Sequence, residues 1–133
     1  MTSYMKAGKL YRRGYRYELE LSARLIGLGY ATMRAPASGK GGKPDVIAVR
    51  KGRVVVFEVK VRSKPCDIYI PRIEVERLRT WAERAGAEAY IAVRLLDPPE
   101  WRLVPLDRLQ ETEGYYRVSR GELWNGYSLQ ILA

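Results

Sequence analysis

The sequence predicts an α/β fold in which a mixed central β-sheet of about five strands is flanked by helices on both faces. Two segments carry apolar residues at helical spacing, and each is followed by a glycine that can end a helix, Gly29 or Gly86. Short runs of β-branched residues lie between and after these segments. The second helical segment joins two such runs, and a strand–helix–strand unit implies a right-handed parallel crossover.

The first helix is predicted at residues 15–28, where the apolar positions follow helical spacing. Residues 1–13 precede it and are interpreted as a loose basic arm. A short strand is predicted at residues 30–34. The next segment, APASGKGGK, is rich in glycine and lysine, so we expect a flexible loop there.

A tight hairpin is predicted next, because two β-branched runs at residues 44–50 and 53–61 are separated only by Lys51 and Gly52. Both faces of these runs are apolar, so we expect them at the centre of the sheet, covered on two sides. The second helix is predicted at residues 73–85, and further strands at 89–95 and 101–106.

Residues 110–133 are ambiguous between irregular structure and short elements. No internal repeat and no linker divides the sequence, so residues 1–133 are interpreted as a single domain.

The composition excludes several kinds of chemistry. The sequence contains no histidine and one cysteine, Cys66, which rules out histidine-based nucleophile systems, histidine-ligated zinc and thiolate-rich zinc sites within one chain. A bound metal must therefore have oxygen ligands. The 24 Lys and Arg residues outnumber 15 Asp and Glu, a net charge of +9 that suits a polyanion such as nucleic acid. A basic surface that serves solubility or attraction to a membrane surface is the alternative.

No apolar run approaches the roughly 20 residues needed to cross a bilayer, and the N-terminal residues lack the apolar segment of a signal peptide. We therefore expect an intracellular, cytoplasmic protein associated with the nucleoid, and no membrane partner.

The predicted hairpin brings two carboxylates together. If Lys51 and Gly52 form the turn, Asp45 faces Glu58 across the strands, with Cβ atoms about 5 Å apart. Such a pair is destabilising unless a cation lies between the two charges, and hard oxygen ligands favour Mg²⁺ or Mn²⁺. Lys60 lies on the same face as Glu58 because strand side chains alternate. The alternative is an exposed, charged strand end.

The first helix offers two further acidic residues. Glu20 lies four residues before Arg24, which predicts an exposed ion pair. Glu18 lies on the apolar face of the helix, so it can reach the edge of the sheet where Asp45 and Glu58 are predicted to bind a metal ion. Alternatively, Glu18 pairs with Arg16 or Arg34 and has a purely structural role.

Basic residues in two segments can contact DNA phosphates. In the loop at residues 35–43, glycines allow close approach of the backbone, while Ser38, Lys40 and Lys43 supply donors. An ordinary solvated loop is the alternative. The N-terminal segment provides a second track of cations, consisting of Lys6, Lys9, Arg12, Arg13 and Arg16.

The sequence resembles a known nuclease superfamily. Pro44-Asp45 followed by Glu58-Val59-Lys60 matches the pattern of restriction-endonuclease-like nucleases, Pro-Asp and then Asp/Glu-x-Lys. Wider features resemble the archaeal Holliday junction resolvases over residues 11–107, namely YRRGYRYELEL, GYATMRAPASGKGG before PDVIAV, VVFEVKVR, and AYIAVRLLDPPEWRLVPLD.

This resemblance implies a restriction-endonuclease-like fold and a homodimer that binds four-way DNA junctions by shape and nicks them symmetrically with Mg²⁺. It implies metal-site carboxylates at Glu18, Asp45 and Glu58 and a catalytic lysine at Lys60. Ser38 matches a serine in the loop that approaches the cleaved strand, so it joins the predicted catalytic residues.

The predicted DNA-binding residues are Arg13, Arg16, Arg34, Lys40, Lys43 and Arg62. Relatives carry arginine directly after the helix glutamate, where this sequence has Leu19, and Arg16 or Arg13 are the candidate substitutes. Two alternative functions remain open, a related nuclease for other DNA substrates and an inactive DNA-binding module of the same fold. The aromatic residues considered for either a dimer surface or the core are Tyr69, Trp101, Tyr115, Tyr116 and Trp124.

Overall fold

The structure is a computed structural model that describes the backbone of residues 2–35 and 42–133 and the side chains of residues 14–35 and 42–133. The helices are α1 (Thr2–Gly27), α2 (Arg72–Ala85) and α3 (Arg120–Trp124), with 3-10 turns at Leu106–Arg108 and Leu129–Leu132. The strands are β1 (Ala31–Arg34), β2 (Val46–Arg50), β3 (Arg53–Arg62), β4 (Ile68–Pro71), β5 (Glu88–Leu96), β6 (Pro99–Pro105), β7 (Gln110–Thr112) and β8 (Tyr115–Val118).

A five-stranded sheet with the order β1-β2-β3-β5-β6 forms the centre of the fold. β1, β2 and β3 are antiparallel, β3 and β5 are parallel, and β5 and β6 are antiparallel. The chain leaves the sheet after β3 and returns as β5, with α2 in the connection. The predicted mixed sheet is therefore confirmed.

Helices cover both faces of this sheet. On one face Leu21 and Leu25 of α1 belong to a buried cluster with Val55 and Phe57, whereas Val75 and Leu78 of α2 belong to a second cluster with Val56. Val55, Val56 and Phe57 are consecutive residues of β3 and all are fully buried, so the strand is covered on two sides as predicted. Each such side chain contributes about 1.5–3 kcal/mol by leaving water.

The β2–β3 turn has the geometry that the sequence predicts. Lys51 and Gly52 have φ angles of 48° and 85°, and positive φ at both central residues is the signature of a type I′ hairpin. The ladder pairs Arg50 with Arg53 and continues to the pair of Val46 with Phe57. The turn thus sets which residues of β3 lie beside the start of β2.

Helix α1 begins much earlier than predicted. The interpretation of residues 1–13 as a loose arm is wrong for the backbone of residues 2–13, which is helical in the structure. Seven of residues 2–13 are Ala, Leu, Met, Lys or Arg, which are favourable helix formers. Among the described residues, no helix is both long enough and apolar enough to span a membrane.

The ambiguous C-terminal segment has short, well-defined elements. β7 and β8 join β4 in a second, three-stranded sheet with the order β4-β8-β7. Leu123, Leu129 and Leu132 are buried, so α3 and the last turn contribute to the core. The aromatic residues considered above divide between two environments: Trp101 and Tyr116 are buried, and Tyr69, Tyr115 and Trp124 are exposed.

Candidate active site

Asp45 and Glu58 meet at the end of the β2–β3 ladder. The Asp45 N–H donates to the Phe57 carbonyl at 2.9 Å, although Phe57 already pairs with Val46. Two residues of one strand therefore face one residue of the other, an arrangement typical of a β-bulge. The regular ladder stops one pair short of Asp45 and Glu58, but their carboxyl groups lie within hydrogen-bonding reach of each other.

Burial of this carboxyl pair changes the acidity of both groups. Burial, followed by the neighbouring charge of Asp45, raises the pKa of Glu58 to about 8. Burial also raises the pKa of Asp45, and this effect outweighs the hydrogen bond that the Val59 N–H donates to Asp45 Oδ2 at 2.8 Å. Two acids that resist ionisation in this way form a site that favours an added positive charge.

Lys60 contributes a positive charge beside the carboxyl pair. Its Nζ atom lies 3.8 Å from Glu58 Oε2 on the same strand and 3.3 Å from Glu74 Oε2 in the first turn of α2. Glu74 is not among the residues predicted from the sequence. An acidic residue in the first turn of a helix is explained locally by the helix dipole, so no local signal connected Glu74 with β3.

Glu18 lies near this cluster but is held by another partner. Arg34 Nη2 donates to Glu18 Oε1 at 3.1 Å, which is one of the two pairings considered in the structural alternative. Burial and then the charge of Asp45 raise the pKa of Glu18, against the effect of Arg34. Within residues 14–35 and 42–133, no three acidic side chains are already arranged to hold a metal ion. The role of Glu18 as a metal ligand remains a prediction.

The prediction of an exposed Glu20–Arg24 ion pair is wrong. Glu20 Oε1 accepts hydrogen bonds from Arg94 Nε at 2.7 Å and from Trp101 Nε1 at 2.8 Å. These bonds join α1 to β5 and β6, and therefore fix the helix that carries Glu18. Spacing along the helix identified a possible local partner, whereas the tertiary structure supplied two distant donors.

The predicted DNA-binding residues have varied surroundings. Lys43 is exposed beside the carboxyl pair, Arg16 is exposed on α1, and Arg34 stacks 4.3 Å from the Tyr15 ring centroid. Arg62 donates to the Val61 carbonyl at 2.8 Å. The predictions for Ser38 and Lys40 lie outside the described residues, as do those for the side chains of Lys6, Lys9, Arg12 and Arg13.

A small cavity of about 70 Å³ opens onto the carboxyl pair, and its lining residues are Gly42, Lys43, Asp45, Glu58, Glu74, Arg77 and Leu78. A larger cavity of about 600 Å³ runs along α2 but contains none of the predicted catalytic residues. The smaller cavity is the candidate active site, because Asp45 and Glu58 line it.

The donor set of this cavity fits a hard divalent cation. Asp45 and Glu58 provide carboxylate oxygens, the ligand type that Mg²⁺ prefers. Glu74 adds a third carboxylate to the cavity wall, and Lys60 pairs with Glu74 and lies beside Glu58.

Comparisons with known proteins place the sequence in one family. The sequence model of the family described as archaeal Holliday junction resolvase (Hjc) matches residues 9–132. The chain is 39% identical over 124 residues to the crossover junction endodeoxyribonuclease Hjc of Sulfurisphaera tokodaii, covering 90% of this chain and 85% of that protein. It is 35% identical over 108 residues to the Hjc of Archaeoglobus fulgidus, covering 80% of this chain and 78% of that protein.

A solved structure has the same fold. The structure of Archaeoglobus fulgidus Hjc, a Holliday junction resolvase, superposes with a TM-score of 0.81 at 30% sequence identity, covering 90% of this chain and 94% of that chain. The restriction-endonuclease-like fold predicted from the sequence is confirmed by this match. Because the family model spans nearly the whole sequence and two relatives exceed 30% identity, the chain belongs to the archaeal Holliday junction resolvase family.

Proposed function

We propose that this protein is an endonuclease that resolves four-way (Holliday) DNA junctions by paired symmetric nicks during recombination and repair, and that its reaction requires Mg²⁺ or Mn²⁺. The observation that carries the proposal is the partly buried pair of Asp45 and Glu58 with Lys60 beside it, in a member of this family. The names of the relatives, crossover junction endodeoxyribonucleases, support the substrate and the reaction.

Asp45 and Glu58 are the residues proposed to hold the cation. A divalent ion bound there supplies an activated water and offsets negative charge on the phosphate. The Lys60 ammonium lies close enough to Glu58, at 3.8 Å, to orient the attacking water and to stabilise charge that develops on the phosphate. Glu18 is proposed as a further carboxylate of the site. In that role, Arg34 leaves Glu18 and pairs with a DNA phosphate, which offers the same charge and geometry.

Symmetric nicking requires two active sites that face opposite strands, so we propose a homodimer. The net charge of +9 supports binding to the closely spaced phosphates of a junction. The described cations proposed to contact them are Arg16, Arg34, Lys43 and Arg62. Binding should weaken steeply as salt rises.

The test compares a synthetic four-way junction with the linear duplexes that form its arms, at increasing Mg²⁺ and with a chelator as control. We expect nicks at symmetry-related positions of the junction, none in the chelator, and no comparable cutting of the arms. Light scattering of the same preparation should give the mass of a dimer. Equal cutting of the arms would identify a nuclease for another DNA substrate. Binding without nicks at any Mg²⁺ or Mn²⁺ concentration would identify a DNA-binding module.

A further inference from the structure

Glu74 contacts the predicted catalytic lysine although it belongs to neither sequence motif. Lys60 Nζ donates a hydrogen bond to Glu74 Oε2 at 3.3 Å, which is shorter than its 3.8 Å approach to Glu58 Oε2. The Glu74 side chain also lines the small cavity with Asp45 and Glu58. Three elements therefore meet at this point: the start of β2, the middle of β3 and the first turn of α2.

A helix-dipole role explains an acidic residue at this position but not its contact. Helix α2 begins after Pro71, and no side chain caps its N-terminus. A negative charge anywhere in the first turn would interact with that helix end. The dipole does not require the carboxylate to reach across to β3, so the bond to Lys60 needs a separate reason.

That reason follows from the charges around Lys60. Without Glu74, the nearest carboxylate to the ammonium is Glu58, and a tighter pair with Glu58 would occupy oxygens proposed to bind the cation. A bound divalent cation would also repel the ammonium, because both are positive. Glu74 holds the ammonium with a second carboxylate that belongs to α2, and its negative charge offsets that repulsion.

We propose that Glu74 is a positioning residue for Lys60, which keeps the ammonium beside the Asp45–Glu58 pair and leaves the oxygens of that pair free. The proposal rests on the proposed nuclease function, in which Lys60 acts on the attacked phosphate. It assigns to α2 a part in the active site that the two motifs on β2 and β3 do not include.

The test uses Glu74→Gln, which keeps the shape of the side chain and one acceptor oxygen but removes the charge. Glu74→Asp keeps the charge on a shorter side chain, and Glu83→Gln makes the same chemical change at an exposed site near the end of α2. Three quantities are measured for each full-length protein. They are the single-turnover nicking rate at saturating Mg²⁺, the junction Kd, and the ¹H–¹⁵N NMR signal of the Lys60 ammonium, identified by its loss in Lys60→Arg.

We expect Glu74→Gln to slow nicking about 10–100-fold, as changes of outer partners at active sites do, with the junction Kd within about twofold of wild type. The ammonium signal should weaken because its protons exchange faster with water. Glu74→Asp should recover part of the rate, and Glu83→Gln should match wild type.

The proposal would be overturned if Glu74→Gln had the same nicking rate and the same Lys60 ammonium signal as the wild-type protein. It would also be overturned if rate, junction affinity and melting temperature fell together in both Glu74 variants, because that result indicates a structural role. If the wild-type protein nicks no junction, the proposed function fails instead, and the NMR comparison still decides whether Glu74 holds Lys60.

Discussion

Replacing Glu58 with glutamine should stabilise the metal-free protein, and the gain should grow with pH. The folded-state pKa of Glu58 is about 8, against 4.5 for an unperturbed glutamate. Below pH 4.5 the group is protonated in both states. Between pH 4.5 and 8 the unfolded chain ionises while the folded protein retains the proton, so wild-type stability falls as pH rises. Glutamine does not titrate and therefore escapes this loss.

The magnitude follows from the same two pKa values. Their difference, 8 − 4.5 = 3.5, corresponds to a ceiling of about 5 kcal/mol at 1.36 kcal/mol per pKa unit. When Glu58 ionises in the folded protein, Asp45 and Lys60 can adjust to its charge, which reduces the destabilisation below this ceiling. We therefore expect the stability advantage of the variant over wild type to increase by about 2 kcal/mol between pH 5 and pH 9. For a chain of this length that gain is a rise in melting temperature of about 6–10 °C.

The assay is thermal unfolding in chelator at pH 5, 7 and 9, for wild type, Glu58→Gln and the exposed control Glu83→Gln. Adding Mg²⁺ at pH 9 should raise the melting temperature of wild type more than that of Glu58→Gln, because a cation stabilises only the ionised pair. A difference between Glu58→Gln and wild type that stays constant from pH 5 to pH 9 would refute the reasoning, since it would mean that Glu58 ionises normally in the folded protein.

The remaining predictions concern the reaction, DNA binding and the core. We expect three variants to abolish nicking but largely retain junction affinity in gel-shift titrations: Asp45→Asn, Glu58→Gln and Lys60→Ala. Loss of affinity in all three would indicate that they hold the fold. Lys43→Ala should weaken junction binding and lower the salt-dependence slope by about 1; an unchanged slope would exclude a phosphate contact. In chemical denaturation, Leu21→Ala should cost about 2–5 kcal/mol because its side chain is fully buried. The exposed Leu19→Ala control should cost less than about 0.5 kcal/mol.

Several features of the fold and the site were predictable because they depend on neighbours in the chain. Strand alternation places Glu58 and Lys60 on one face of β3, and the two-residue turn at Lys51 and Gly52 sets the β2–β3 register. From that register alone, Asp45 was expected beside Glu58, and their carboxyl groups do meet. The bulge that ends the ladder at Asp45 was not predictable, because it is a backbone adjustment without a sequence signal here.

Other features depended on packing between distant parts of the chain. The second sheet pairs β4 with β8, and such short strands have too few residues to show a period. Glu20 was assigned a neighbour on its own helix, yet its partners Arg94 and Trp101 lie on β5 and β6. Glu74 reaches Lys60 only because α2 packs against the face of β3 that carries the acids. The sequence by itself thus determined the hairpin and its acidic pair, since local periodicity and turn chemistry encode them. Only the tertiary structure decided which distant side chains complete the site, because those contacts depend on how the helices lie on the sheet.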